Sequence, residues 1–241
     1  AQSPMFLQAE AGLAAIADIE RQLDEGGAVT PAEARMMASA YKGFREIAYR
    51  GVTFSYGRRG DSSRFHVGPL DLTVRAGETI FFVGGNGSGK STTLRLMTGL
   101  YPAEEGVIEI DGVAVEGRAL AGLREQFSAV FADFHLFDRL YGVEEADPEK
   151  VQRLIAEMGL AHKVTFAEGR FSQTNLSTGQ RKRLALIAAL LEDRPVYVFD
   201  EWSAEQDVHF RKHFYTKILA DLKAQGKTVI AVTHDERYWH V

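Results

Sequence analysis

Apolar residues recur at helical spacing near the start of the chain, at Phe6, Leu13, Ile16, Ile19 and Leu23, with polar residues between them, and the run stops at Gly26-Gly27. That spacing predicts an amphipathic helix over 5–23 with one apolar face. A second helix start follows. Thr30 stands as a cap, Pro31 occupies the first turn and Glu33 is placed to complete a capping box; the pattern runs out near Gly43. From Ile47 the texture changes to short β-rich runs at 52–56, 70–74, 79–83 and 107–110, broken by glycines. Residues 138–195 read as mostly helical. The segments at 195–200 and 227–233 return to buried-strand character, with apolar stretches at 196–199 and 229–232. The pattern therefore predicts a helical lead-in over 1–45 and an α/β domain over 46–241 carrying a helical subdomain at about 138–195, with no internal repeat or low-complexity tract.

Composition narrows the classes. With 241 residues, 45% hydrophobic and 25% charged, the chain has apolar material for one large domain or a domain with an appendage. A net charge of -5 and the lack of a Lys/Arg block argue against a phosphate-backbone footprint as the main activity, so nucleic acid is not an expected partner. The absence of cysteine removes disulfides, thiolate metal sites and a thiol nucleophile. The longest apolar runs, at 184–191 and 196–199, fall well short of the roughly 20 residues of a membrane-spanning helix. No signal peptide is visible, and a membrane role would need another segment or chain.

Two segments carry chemistry. Gly84-Gly85-Asn86-Gly87-Ser88-Gly89-Lys90-Ser91 follows an apolar strand and precedes a helical stretch that starts at Thr92 and ends at Gly99. This is the context that a G-x-x-x-x-G-K-[ST] phosphate loop requires and a chance glycine-rich turn lacks. Glycines let successive N–H groups turn toward one anion, and the helix N-terminus adds its positive end. Lys90 would neutralise the β and γ phosphates of ATP, and the Ser91 hydroxyl suits Mg²⁺. The second segment, Val196-Tyr197-Val198-Phe199-Asp200-Glu201, ends a strand in two carboxylates. Beside the loop, Asp200 would lie near the metal and Glu201 would reach a water in line with the γ-phosphate. Many buried strands end in an acid, so this segment gains its meaning from the loop upstream.

Leu176-Ser177-Thr178-Gly179-Gln180, set before a helix and shortly before Asp200, resembles the signature sequence of ATP-binding-cassette (ABC) proteins. Tyr56, Asp207 and His234 complete the landmarks in order between Ile47 and His234. The resemblance implies a P-loop NTPase core with a RecA-like mixed sheet, an antiparallel β lead-in and an α-helical subdomain. It implies that Tyr56 stacks on adenine, Glu201 polarises the attacking water and His234 holds the γ-phosphate and water in register. It also implies that Ser177 and Gly179 contact the γ-phosphate bound to a second copy, with Asp207 passing the state of one site to the other. The remaining histidines show no partner pattern; His209 and His213 share a helix face, but no third ligand stands near them in the sequence.

The runs from Asp200 to Asp207 and from Val130 to Phe137 look like the cyclic-peptide and siderophore-precursor exporter branch, which includes the pyoverdine and syringomycin exporters. That resemblance implies a transmembrane domain fused ahead of the cassette, a peptide-like cargo bound by that membrane part, and a place on the cytoplasmic face of the bacterial inner membrane. Two departures stand out. Ala132 occupies the place of a family glutamine that touches the metal, which makes Asp133 a candidate for the metal's outer shell, with water filling the gap. The chain also ends at Val241, soon after His234, where related domains continue into further strands; this implies a truncated chain or a missing remainder. Competing readings are a soluble, non-transport ABC ATPase and a nucleotide-gated dimerisation module with little turnover. The first usually carries long coiled-coil insertions or two cassettes, and Glu201 argues against the second.

Overall fold

A computed structural model describes residues 29–56, 65–143 and 146–239; the helix expected over 5–23 lies outside the described residues. Strands Val196–Asp200 (β9) and Thr228–Val232 (β10) are buried at every position. They occupy the middle of a parallel sheet, between Thr79–Phe82 (β3) and Phe127–Val130 (β6), in the order β3-β10-β9-β6. Side chains alternate across a strand, so Tyr197, Phe199, Val229 and Ala231 enter one core while Val196, Val198, Ile230 and Val232 enter another on the opposite face. Both faces being covered explains why these runs are apolar without alternation.

Strands Glu46–Ser55 (β1), His66–Arg75 (β2), Glu105–Ile110 (β4) and Val113–Ala114 (β5) form a separate antiparallel sheet in the order β2-β1-β4-β5. These antiparallel strands thus stay separate from the four parallel ones. Strand β1 starts six residues before the expected run because its register shifts between Tyr49 and Val52, around Gly51 in the left-handed region, and that bulge breaks the two-residue alternation. Ile47, Tyr49 and Val74 from this sheet share a core with Leu94, Leu96 and Met97 of the helix Lys90–Met97 (α2). The buried Tyr49 hydroxyl donates to the Met97 carbonyl at 2.9 Å.

The capping box expected at Thr30 is formed at the head of Pro31–Ser39 (α1), where Glu33 N–H donates to Thr30 Oγ1 at 3.3 Å and Thr30 N–H to Glu33 Oε2 at 2.8 Å. This helix lies against Ala119–Arg124 (α3), where Gly122 approaches so closely that a Cβ would stand 2.8 Å from Met37 Cβ. Phe44, at the expected domain boundary, is buried in the core beside Ile47. The segment 138–195 holds the helices Pro148–Glu157 (α4) and Thr178–Glu192 (α5), and between them an unexpected hairpin of Phe166–Ala167 (β7) and Arg170–Phe171 (β8). The hairpin turns on Glu168 and Gly169, both at positive φ, as a two-residue turn between right-twisted strands requires. Beyond β9, Val208–His213 (α6), a π-helical turn at Phe214–Ile218 and Leu219–Ala224 (α7) run on directly from one to the next. Among the described residues no helix is long and apolar enough to cross a membrane.

Candidate active site

The carboxyl ends of β3, β6, β9 and β10 lie side by side because all four strands are parallel and in register. In an open α/β sheet this edge is where ligands bind. The segment leaving β3 is the glycine-rich loop, and it hands over to α2 at Gly89, whose φ of 89° is open to glycine at little cost. Lys90 is the first helical residue; its Nζ bends back to donate to the carbonyls of Gly84 at 3.0 Å and Gly85 at 2.8 Å. The loop closes on itself through Ser88 N–H, which donates to Gly85 O at 3.4 Å.

Asp200 ends β9 and is buried. Its Oδ1 accepts from Ser91 Oγ at 3.0 Å, and its Oδ2 accepts the Ala132 backbone N–H at 3.4 Å. A hydroxyl and a buried carboxylate side by side form a hard-oxygen pair, the donor set Mg²⁺ favours when water and phosphate supply the other ligands. Glu201, one residue on, has φ of 49°. That conformation turns its side chain toward the segment after β10, and Glu201 Oε1 lies 3.2 Å from His234 Nε2. The carboxylate of Asp133, the residue expected in the metal's outer shell, pairs with Arg95, and among the described residues it makes no hydrogen bond to Ser91 or Asp200. Arg95 occupies the same face of α2 as Ser91, one turn further on. What residue 132 supplies to the site is its main-chain N–H.

Tyr56 stands half-exposed in an aromatic group with Phe54 (5.1 Å between centroids), Tyr101 (5.8 Å) and Phe65 (6.2 Å). Its hydroxyl lies 3.5 Å from Thr92 Oγ1 and donates to Tyr101 at 3.1 Å. Partial burial pushes the Tyr56 hydroxyl up, but hydrogen bonds with Thr92, Tyr101 and Arg95 outweigh it and leave the phenol below its ordinary value. Phe65 reaches the phosphate loop, with Cζ 3.3 Å from the position a Cβ on Gly89 would take.

Ser177 caps α5 and Gln180 completes a capping box. Thr178 opens the helix, and the Leu176 side chain packs against the core. Gly179 is required by close approach, since a Cβ would fall 2.4 Å from the Glu205 carbonyl oxygen. Gln206 Nε2 donates to Gly179 O at 3.1 Å, Arg183 Nε donates to Gln206 Oε1 at 2.9 Å, and Arg183 Nη2 donates to Asp207 Oδ2 at 2.6 Å. Asp207 also caps α6 by accepting from Phe210 N–H at 2.9 Å. That backbone bond first, and the Arg183 guanidinium after it, hold the Asp207 carboxyl below the usual carboxylate value. Leu176 to Gln180 and Asp207 are thus tied to one another, and no hydrogen bond joins them to Gly84–Thr92 of the same chain among the described residues.

A family model described as "ABC transporter" matches residues 67–204. The chain belongs to the ABC transporter family. It is 40% identical over 99% of its length to the ATP-binding protein SyrD of Pseudomonas syringae pv. syringae, covering 43% of that protein. It is 30% identical over 92% of its length to the ATP-dependent lipid A-core flippase of Hahella chejuensis, covering 39% of that protein. Among solved structures, a bacterial Atm1-family ABC exporter with ATP bound superposes with a TM-score of 0.65 at 25% identity, over 80% of this chain and 35% of that one. The chain spans less than half the length of these relatives.

Several residues of this ABC domain's site escape a reading of the sequence. Lys182 is fully buried, yet it stands in the run Arg181-Lys182-Arg183 and reads as part of a solvated basic face. Gln206 and Trp202 lie in a loop whose pattern shows no periodicity, yet both are buried. Phe65 joins Tyr56 from just before β2, and Tyr101 from the loop after α2, so no spacing rule brings the three together.

Proposed function

We infer that this chain hydrolyses ATP between two head-to-tail copies and drives a bacterial exporter of a peptide-like compound. The observation that carries the reading is the convergence, at one sheet edge, of Lys90 with its glycine loop, the Ser91–Asp200 pair and the Glu201–His234 pair. ATP, as substrate, would place its phosphates on the N–H groups of Gly85 to Thr92, with Lys90 released from its own loop carbonyls to meet the β and γ phosphates. Adenine would stack on Tyr56, whose exposed ring is backed by Phe54 and Tyr101. Mg²⁺, held by Ser91 Oγ and Asp200, would supply charge neutralisation at the phosphates. Glu201 would accept a hydrogen bond from the attacking water and begin to take its proton, while His234, 3.2 Å away, would donate to the γ-phosphate and fix the carboxylate's direction.

Ser177 and Gly179 make no hydrogen bond to their own phosphate loop among the described residues, and the positive dipole end of α5, which lies there, suits an anion. Both features support action on the ATP of a second copy, with Asp207 and Arg183 at the contact between copies. Similarity to SyrD over nearly the whole chain, and the short reach of the chain across its relatives, support a transmembrane domain fused N-terminally, a cargo held by that domain and a position on the cytoplasmic face of the inner membrane.

Phosphate release from ATP and Mg²⁺ tests the reading. Glu201→Gln keeps the shape of the side chain and loses its basicity, so ATP affinity should change by less than about threefold while turnover falls by about a hundredfold or more. Near-normal turnover in the folded variant would refute the assignment.

A further inference from the structure

Lys182 takes no part in the chemistry above, yet it is the most thoroughly buried cation near it. Its side chain is 1% exposed. An ammonium in such a place is costly unless paired and fully hydrogen-bonded. Lys182 pairs with the Glu205 carboxylate, and its Nζ donates to the backbone carbonyl of Glu201 at 2.9 Å. In return the Trp202 indole N–H donates to the Lys182 carbonyl at 3.0 Å. Trp202 is itself held rigidly, 1% exposed and stacked on Phe214 at 4.3 Å. Helix α5 and the loop after β9 therefore exchange three bonds around one lysine.

Those bonds fall where Glu201 is under strain. A glutamate at φ of 49° persists only where its surroundings over-determine the backbone. Here both ends of the residue are clamped: its N–H donates to Val232 O at 3.2 Å and its carbonyl accepts from Lys182. Lys182 also lies on the same helix as Ser177, about one and a half turns from the cap, with continuous helix between. A rigid helix carries a displacement of its first turn to Lys182, and Lys182 carries it to the Glu201 peptide.

We propose that Lys182 is a positioning residue that couples the seating of the α5 N-terminus on the second copy's nucleotide to the placement of Glu201 in its own site. Each copy's Glu201 is then set for water only when its Ser177 end is engaged. This rests on Glu201 activating water and on the Ser177–Gly179 segment acting across the dimer.

Turnover in the intact protein tests it, with Glu201→Gln as the control for the underlying reading. If Glu201→Gln still turns over, that reading fails whatever Lys182 does. With that control inactive, Lys182→Met should lower kcat by at least ~10-fold while KM for ATP stays within about twofold. The fold should survive, because methionine fits the volume and Glu205, 46% exposed, can be solvated. The double variant Ser177→Ala/Lys182→Met should be no slower than the slower single variant, since both act on one path. A kcat within about twofold of the parent, a KM that rises as kcat falls, or effects that multiply in the double variant would each overturn the proposal. Should Lys182→Met fail to fold, Trp202→Phe decides. It keeps the stack on Phe214 and removes the N–H to Lys182; a several-fold loss of kcat at constant KM is expected, and an unchanged kcat overturns the coupling.

Discussion

At the scale of single residues, the site is held by a few hydrogen bonds, some of them from the main chain. Position 132 illustrates this. Its alanine has no side-chain oxygen for a metal, but the main-chain N–H reaches Asp200 Oδ2 and steadies the carboxylate that faces Ser91. Asp133 is committed to Arg95, whose guanidinium also lies over the rings of Tyr101 and Phe131. Asp133→Ala should therefore leave the Mg²⁺ concentration for half-maximal ATP hydrolysis unchanged. The lost pair has a largely exposed carboxylate and should cost no more than about 1 kcal/mol. A titration of activity against Mg²⁺ at saturating ATP, shifted to clearly higher Mg²⁺ in the variant, would instead place Asp133 in the metal's outer shell.

At the scale of elements, the helix ends do the connecting. Ser177 and Asp207 are both N-caps, and Arg183 and Gln206 join the two capped ends into one unit. Asp207→Ala removes the cap of α6 and the Arg183 pair together, and should destabilise the fold by about 1–2 kcal/mol in urea unfolding. The pH dependence has a definite sign. The folded-state value of the Asp207 carboxyl lies below its ordinary one, so its contribution is present above the ordinary carboxylate value and is lost as pH falls through the lower, folded-state value. The stability gap between parent and variant should thus be constant around neutrality and narrow only in acid; a gap that widened in acid would contradict the ionised cap.

At the scale of the whole molecule, two cores lie on opposite faces of one parallel sheet, and the residues proposed for chemistry lie along its carboxyl edge. The Ser177 end of α5 makes no hydrogen bond to its own phosphate loop among the described residues, which supports the proposal that a second copy completes the site. The proposed contact is polar and is completed by ATP. Without nucleotide the protein's cassettes should associate weakly. With ATP and Mg²⁺, Glu201→Gln should accumulate a closed pair that light scattering or crosslinking between Ser177 and the partner's loop can detect. Equal pairing of the variant with and without ATP would count against a nucleotide-bridged dimer.

The sequence by itself determined the elements whose signals are local. Glycines ending in Lys90-Ser91, a buried strand ending in Asp200-Glu201, and the capping box at Thr30 are each written within a few consecutive residues, because phosphate cradling, strand burial and helix capping act over that distance. Only the tertiary structure decided the rest. It put Asp133 on Arg95, brought Phe65 and Tyr101 to Tyr56, began β1 at Glu46 across a bulge, and folded Glu168-Gly169 into a hairpin. It also buried Lys182 under Glu201 from within a basic run that reads as surface. A buried charge is decided by the partners that fold around it, and Glu201 and Glu205 lie some twenty positions further along the chain, where no periodicity links them to Lys182.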